Sequence, residues 1–311
     1  MKTRHIFTIL LFVATASVAY SQQDPQFTQF MADRLSINPG SAGAKGSYCA
    51  TLIGRQQWAG FDGAPKTILL NLQGPIGQTK SGVGLTFYSD KLGQLSETIL
   101  RGSYAYHFKL GGTNRLGVGA SIGMVASKTG ANWIATDDYL KDDAIPNAPS
   151  SNSVFDASLG AYFYNKDMYV GISSTHLSEG ELKDVNLKLA RHYYLMAGYD
   201  YAVSSSINLQ PNILVKSDAA ATQFDVNLNV MFKNALWIGA SYRATDAIAP
   251  QLGYQYQLPN GKSTLRMAYS YDVTTSQLNN YSNGSHEIML NYCFKFEKPL
   301  SKQVYKNVRF L

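Results

Sequence analysis

Histidines are the side chains of this sequence best suited to catalysis or metal binding. Four of the five follow the N-terminal leader, and no two of them stand at the spacing of a local metal motif: His107, His176, His192 and His286. Ser285 and His286 are adjacent, so on a strand they would point to opposite faces and could not act together as nucleophile and base. The sequence has no H-E-x-x-H motif either. We therefore expect no catalytic residue, no metal ligand and no cofactor, and a function that is not enzymatic.

The segments that must position these residues alternate apolar and polar side chains with a period of two. In 223–232, apolar residues at every second position are separated by Gln223, Asp225, Asn227 and Asn229. Such a strand has one face for an apolar environment and one for water. Two architectures fit the pattern, a soluble β-sandwich or a membrane barrel with a polar interior and a lipid-facing exterior.

The N-terminus favours the membrane barrel because it has the features of a secretory signal peptide. Lys2 and Arg4 precede an apolar stretch at 6–18, and Ala19-Tyr20-Ser21 forms a small-x-small cleavage site. We assign residues 1–21 to this signal and expect an exported protein. The composition agrees, since 21 Tyr and 14 Phe accompany only 15% charged residues, and aromatic side chains suit the membrane–water boundary.

About fourteen strands are predicted between residues 47 and 296, an even number. Tight turns such as 111–113, 165–166 and 233–235 separate strands, and the longest connections lie at about 126–153 and 176–190. Short periplasmic turns and long extracellular loops are typical of outer-membrane barrels. The predicted fold is thus an all-β transmembrane antiparallel barrel in the outer membrane, with both termini periplasmic.

Two segments outside the predicted barrel complete the domain organisation. Residues 22–46 form an N-terminal segment that lies either at the periplasmic rim or in the lumen. The turn Asn38-Pro39-Gly40 either docks this segment on the barrel or is a plain turn. Residues 297–311 form a basic, irregular C-terminal tail expected in the periplasm.

Gly117, Gly119 and Gly123 share one face of a strand within the predicted barrel, where small residues leave room for a neighbouring side chain or a plug.

The inward faces should carry a charge lattice and both cysteines. The predicted lattice consists of Arg55, Arg101, Arg115, Arg243 and Arg266 with Asp156, Asp200, Asp225 and Asp272. Cys49 lies on the first strand and Cys293 on the last, at similar depth. In an oxidising compartment they form either a disulfide across the closing seam or two unpaired thiols separated by the barrel stagger.

Two segments are candidates for partner binding. In 58–66 these are Trp58, Phe61, Asp62 and Lys66, although Gly, Asp and Pro in this stretch also simply make turns. In the tail they are Lys302, Lys306 and Arg309, which we expect to bind a periplasmic partner. No basic patch is interleaved with aromatic residues, so nucleic acid is not an expected partner.

Several segments in one order resemble the PorP/SprF family of outer-membrane proteins of the type IX secretion and gliding motility machinery. They are QDPQFTQFM at Gln23, INPGSAG at Ile37, RQQWAGFDGAPKT at Arg55, LVKSDAAATQFDVN at Leu214, LWIGASYRATDA at Leu236, GSHEIMLNY at Gly284 and the terminal RFL. The resemblance implies a non-enzymatic barrel, embedded in outer-membrane lipid, that anchors or presents secreted substrates such as surface adhesins and contacts other secretion components. The fold alone would equally allow a general diffusion porin.

Overall fold

The computed structural model of the chain describes Asp24 and residues 26–130, 148–183, 187–244 and 246–296. The predicted signal peptide and the tail residues Lys302, Lys306 and Arg309 lie outside the described residues. Among the described residues, no helix is both long enough and apolar enough to cross a membrane.

Seventeen strands are present in the described residues. They are β1 (Tyr48–Gln56), β2 (Lys66–Pro75), β3 (Ser81–Leu92), β4 (Leu95–Gly111), β5 (Asn114–Thr129), β6 (Ser150–Tyr164), β7 (Met168–Thr175), β8 (Glu181–Leu182), β9 (Leu187–Lys188), β10 (His192–Tyr199), β11 (Tyr201–Ala202), β12 (Ile207–Ser217), β13 (Thr222–Phe232), β14 (Leu236–Arg243), β15 (Ala247–Gln257), β16 (Ser263–Thr274) and β17 (Ser285–Phe294).

Fourteen of these strands form a closed antiparallel barrel, which confirms the predicted fold. Strand β1 pairs with β17, and β10 pairs with both β7 and β12, so the ladder continues around the barrel. The short pair β8 and β9 forms a separate hairpin between β7 and β10, in the connection predicted to be a long loop. Closure pairs the strand edges, which an open sheet would leave exposed to lipid.

The connections define two ends of the barrel. The loop end carries 57–65, 93–94, 176–183, 187–191, 218–221, 244, 246 and 275–284, and the turn end carries 76–80, 112–113, 165–167, 200–206, 233–235 and 258–262. The alternation of lengths is weaker than predicted, because the loop end also has short connections such as 93–94. Strands β5 and β6 extend to Thr129 and from Ser150, so they include part of the predicted loop 126–153.

Period-two alternation fixes which side chains face outward. On β4, Leu100 is 51% exposed and Arg101, the next residue, is 6% exposed. The outward side chains of the same strand include Tyr104, Tyr106, Phe108 and Leu110, whereas Ser103 and His107 are buried. An apolar exterior and a polar interior are what a membrane barrel requires.

Residues 26–46, here called the plug, lie inside the barrel and connect to β1 at the turn end. Phe30, Asp33 and Asn38 in the plug are all almost fully buried. The Asn38 Oδ1 atom accepts a hydrogen bond from the Gly40 N–H and caps the 3₁₀ turn Pro39–Ser41. The Asn38 Nδ2 atom donates to the carbonyl oxygens of Ala161 and Ile172, both at 3.0 Å.

The wall positions closest to this turn are glycines. A Cβ atom on Gly119 would stand 2.5 Å from the Pro39 carbonyl oxygen, and one on Gly117 would stand 2.2 Å from that of Gly40. Gly160, on the neighbouring strand β6, faces the Asn38 side chain in the same way. The glycines of β5 and β6 thus allow the plug backbone to approach the barrel wall closely.

We predict that Gly119→Val displaces the plug turn while the barrel remains folded. The valine side chain would occupy the space of the Pro39 and Gly40 backbone. Limited proteolysis of the purified protein in detergent should then cleave within 26–46, and the barrel should keep its heat-modifiable migration on gels. Gly102→Val is the matched control, because a Cβ atom at Gly102 has no atom within 4 Å. Equal protection of the plug in both variants would contradict this packing.

Candidate functional site

Two groups of mostly buried, mostly charged residues lie at the loop end, one attaching the plug to the wall and the other attaching Asp24 to it. The first, the anchor cluster, comprises Thr28, Arg55, Arg243, Asp272 and Glu287. Arg55 forms ion pairs with Asp272 at 2.7 Å and Glu287 at 3.1 Å, and Arg243 reaches Asp272 at 3.2 Å. The four charged side chains are at most 4% exposed.

The carboxylates of the anchor cluster also accept hydrogen bonds from the plug. Glu287 accepts the backbone N–H groups of Thr28 and Gln29, both at 2.8 Å, and Asp272 accepts the Thr28 hydroxyl at 2.7 Å. Because a buried carboxylate is costly unless it is paired and hydrogen-bonded, the plug completes the environment of these charges. The plug therefore stabilises the buried carboxylates of the wall, and these carboxylates hold the plug in place.

The second group, the histidine cluster, comprises Asp24, Arg101, Asp156, His176 and His192. Arg101 pairs with Asp156 at 2.8 Å, and the His176 Nε2 atom lies 2.9 Å from Asp24 Oδ1. His176 directly follows β7 and has φ of 53°, a left-handed backbone conformation that is uncommon outside glycine. His192 begins β10 and is buried.

Charge in the histidine cluster is balanced by its own members. Burial alone would lower the pKa of His176, but the carboxylates of Asp24 and Asp156 raise it to about 9. Burial alone would raise the pKa of Asp24, yet the His176 imidazolium, supported by Arg101, holds it well below its usual range. His176 is therefore a cation at neutral pH, located between two carboxylates.

The predicted charge lattice is only partly correct. Arg55, Arg101 and Arg243 pair with carboxylates as expected. Arg115 instead donates to the carbonyl oxygens of Gly112 and Asn114, because it lies beside the β4–β5 turn. The Arg266 guanidinium lies over the Trp237 ring, 5.0 Å from its centroid, and Asp200 accepts hydrogen bonds from Asn208 and Gln210.

Asp24 lies in the lumen, which is one of the two locations that the sequence left open for the N-terminal segment. Asp24 contacts His176 and Tyr194, so it lies inside the barrel toward the loop end. Strand β17 ends at the opposite, turn end. The chain thus runs from Asp24 through the lumen to the turn end before it enters β1.

A polar cavity of about 430 Å³ lies between the plug and the wall at the turn end. Its lining includes Arg34, Lys45 and Arg266. Arg34 also lies 3.7 Å from the centroid of the Tyr169 ring, a cation–π contact. The charged lining residues are four basic ones, Arg34, Lys45, Lys166 and Arg266, and two acidic ones, Asp167 and Asp200, so the lining is net positive.

The candidate partner residues Trp58, Phe61, Asp62 and Lys66 lie together at the loop between β1 and β2 and at the first residue of β2. Phe61 is 52% exposed, and Asp62 and Lys66 are exposed as well. Backbone hydrogen bonds join Ala59 to Gly284 and Asn283, which attaches the loop to its neighbour. The loop therefore presents an aromatic ring on a supported backbone.

A hydrolase-like pattern occurs once on the wall and has a structural explanation. Gly119-Ala120-Ser121-Ile122-Gly123 matches G-x-S-x-G, which in hydrolases marks a sharp turn between a strand and a helix. Here it lies in the middle of β5, where Ser121 is buried and the first glycine faces the plug. It therefore lacks the backbone geometry of a nucleophile elbow.

Cys49 and Cys293 are direct register partners on β1 and β17, with Cα atoms 4.1 Å apart, and the structure joins them in a disulfide. Cys49 is buried on the same inward face as Thr51 and Arg55. The link connects positions 244 residues apart in the sequence. A crosslink that closes so long a loop stabilises a protein by roughly 2–5 kcal/mol.

A closed barrel with an apolar exterior, a polar interior and a lumenal plug belongs to the outer-membrane β-barrel class. The fold is similar to the toluene transporters TbuX of Ralstonia pickettii, at a TM-score of 0.52 and 9% identity, and TodX of Pseudomonas putida, at 0.53 and 10%. These alignments cover 85% and 84% of this chain and 93% of each transporter. No curated protein matches the chain.

Residues 19–292 match the sequence profile of the type IX secretion system membrane protein PorP/SprF. The chain therefore belongs to the PorP/SprF family, as its sequence motifs indicate. Membership makes it a membrane component of a secretion system.

We predict that the seam disulfide forms in the exported protein, because Cys49 and Cys293 face each other across the closing strands. Mass spectrometry after alkylation should find both cysteines unmodified without reductant and modified after reduction under denaturing conditions. Alkylation of both thiols in the unreduced, denatured protein would contradict the prediction.

Proposed function

We propose that this protein is a non-enzymatic outer-membrane component of the type IX secretion system that anchors or presents secreted substrates, such as surface adhesins, and contacts the periplasmic machinery. The observation that carries this proposal is the lumen occupied by the plug. Glu287 and Asp272 of the wall bind the plug at Thr28, and further along the plug Asn38 binds the wall at the Ala161 carbonyl oxygen. A barrel filled in this way is suited to support other proteins rather than to conduct solutes.

The two ends suit different partners. We place the turn end in the periplasm, where the electropositive cavity around Arg34, Lys45 and Arg266 and the basic tail would face secretion components. The loop end would then face outward and offer Phe61 and its supported loop to a secreted substrate. Charge complementarity gives such contacts their orientation and association rate.

The alternative, a general diffusion porin, requires a continuous water-filled path through the barrel. Proteoliposomes containing the native protein should therefore show no swelling in small sugars. The Gly119→Val variant should swell measurably, because its plug turn is displaced, and Gly102→Val should behave as the native protein. Rapid swelling with the native protein would favour the porin function and contradict the scaffold.

Deletion of residues 298–311 tests the contact with the machinery. We expect the shortened barrel to remain folded and heat-modifiable but to lose co-purification with secretion components from the native membrane, because Lys302, Lys306 and Arg309 are removed. Replacement of these three residues by Gln is the matched variant of full length. Unchanged co-purification in both would contradict a docking role for the tail.

A further inference from the structure

Three potential metal ligands from three separate parts of the chain converge at the loop end. They are Asp24 at the start of the described lumenal segment, His176 after β7 and His192 at the start of β10. One ligand atom from each residue lies within 4.8 Å of the others. Their positions in the sequence gave no sign of this, because Asp24 and His176 are 152 residues apart.

The hydrogen bonds of His192 define which of its nitrogens is available. Its Nδ1 atom lies 3.0 Å from the carbonyl oxygen of Ala190, so Nδ1 carries the proton and donates it. The Nε2 atom is then a lone-pair acceptor. It is buried without a hydrogen-bond partner, in a residue only 2% exposed. A buried nitrogen with an unused lone pair is uncommon, and a water molecule or a metal ion is the kind of partner that satisfies it.

The non-ligating atoms of the other two residues, Asp24 and His176, have partners of their own. The Asp24 Oδ2 atom accepts the Tyr194 hydroxyl at 2.6 Å, which leaves Oδ1 directed at His176 Nε2. The His176 Nδ1 atom lies 3.4 Å from Asp156 Oδ1. Histidines that bind metals usually have the second ring nitrogen at a carboxylate or a backbone carbonyl, and both arrangements are present here.

Two cationic side chains stand beside the three ligands, Arg101 and Lys216, whose Nζ atom donates to the Asp24 carbonyl oxygen at 3.0 Å. Arg101 lies 3.2 Å from His176 Nε2, but its charge is neutralised by Asp156 at 2.8 Å. A proton on His176 can bridge Asp24 and Asp156, and this explains the contacts of His176. It does not explain the orphaned Nε2 of His192, which a metal would bind.

From these contacts we infer that Asp24, His176 and His192 bind one Zn²⁺ ion. The ligands are the Nε2 atoms of both histidines and a carboxylate oxygen of Asp24, and water completes a four-coordinate site. Zinc accepts this set of nitrogen and oxygen ligands at about 2.0–2.2 Å. Ligand atoms of such a site are about 3.3 Å apart, so the widest pair must approach by roughly 1–1.5 Å.

Binding of Zn²⁺ would displace the proton from His176. It would link Asp24 to two points of the wall, His176 after β7 and His192 at the start of β10. Zinc would thus attach the chain before the plug to the loop end. This inference is independent of the proposed secretion role, because it concerns only how the segment is fixed within the barrel.

Isothermal titration with Zn²⁺ tests the site. The protein should be purified without a histidine tag, treated with a chelator and titrated in detergent, with Co²⁺ absorption as a second readout of four-coordinate geometry. We expect one equivalent bound by the native protein. His192→Gln and Asp24→Asn should each lose more than about 100-fold in affinity, which is more than the loss caused by removing a residue that only hydrogen-bonds to a ligand.

His286→Gln is the matched control, because His286 lies on β17 and its Nδ1 contacts the Tyr269 hydroxyl instead. It should bind zinc as the native protein does. Heat-modifiable migration on gels checks that each variant is folded. If the His192→Gln variant does not fold, the zinc affinity of the Asp24→Asn variant decides the outcome. Absence of stoichiometric binding by the native protein, or native affinity in the folded Asp24→Asn variant, would overturn the inference.

Discussion

The width of the barrel is the constraint on which the rest of the structure depends. In a bilayer every backbone polar group must be satisfied within the protein, so the sheet must close on itself. An eight-stranded barrel is filled by its own side chains, but a barrel of fourteen strands has a wider interior. Inward side chains alone cannot fill this lumen. The chain fills it with residues 26–46, and the inward residues are arranged to receive them.

The wall meets the plug in two different ways. Near the turn end, Gly117, Gly119 and Gly160 remove side chains so that the Pro39–Ser41 turn can approach the strands closely. Near the loop end, Glu287 accepts the backbone N–H of Thr28, and Arg55 donates a hydrogen bond to the Thr28 hydroxyl. Breaking a buried ion pair by removal of one partner costs about 3–5 kcal/mol. The charged end therefore contributes affinity, and the glycine end determines the shape of the contact.

The sequence predicted the strands and their faces well, because the period-two pattern reports the two environments of each strand locally. It also placed Cys49 and Cys293 on the inward faces of neighbouring strands at similar depth, but it left open whether the barrel stagger separates them, because register is set by pairing around the whole barrel. It did not predict the course of the plug, because no local pattern in 22–46 indicates which wall it contacts. The meeting of His176, His192 and Asp24 was missed for the same reason. The prediction of ion pairs for Arg115 and Arg266 used only their location on the inward face of a strand. The partner of an inward side chain also depends on how far along the barrel axis it lies, which the sequence pattern does not give.

The central claim is that the anchor cluster seats the plug in the lumen, and hydrogen exchange of the plug amides tests it most directly. The N–H groups of Thr28 and Gln29 both donate to Glu287. Peptides that cover 26–35 should therefore be protected from exchange in the native protein, as strand peptides are. In Glu287→Gln this protection should fall, while strand peptides remain protected. Rapid exchange of 26–35 in the native protein, at the rate of an exposed loop, would contradict a seated plug.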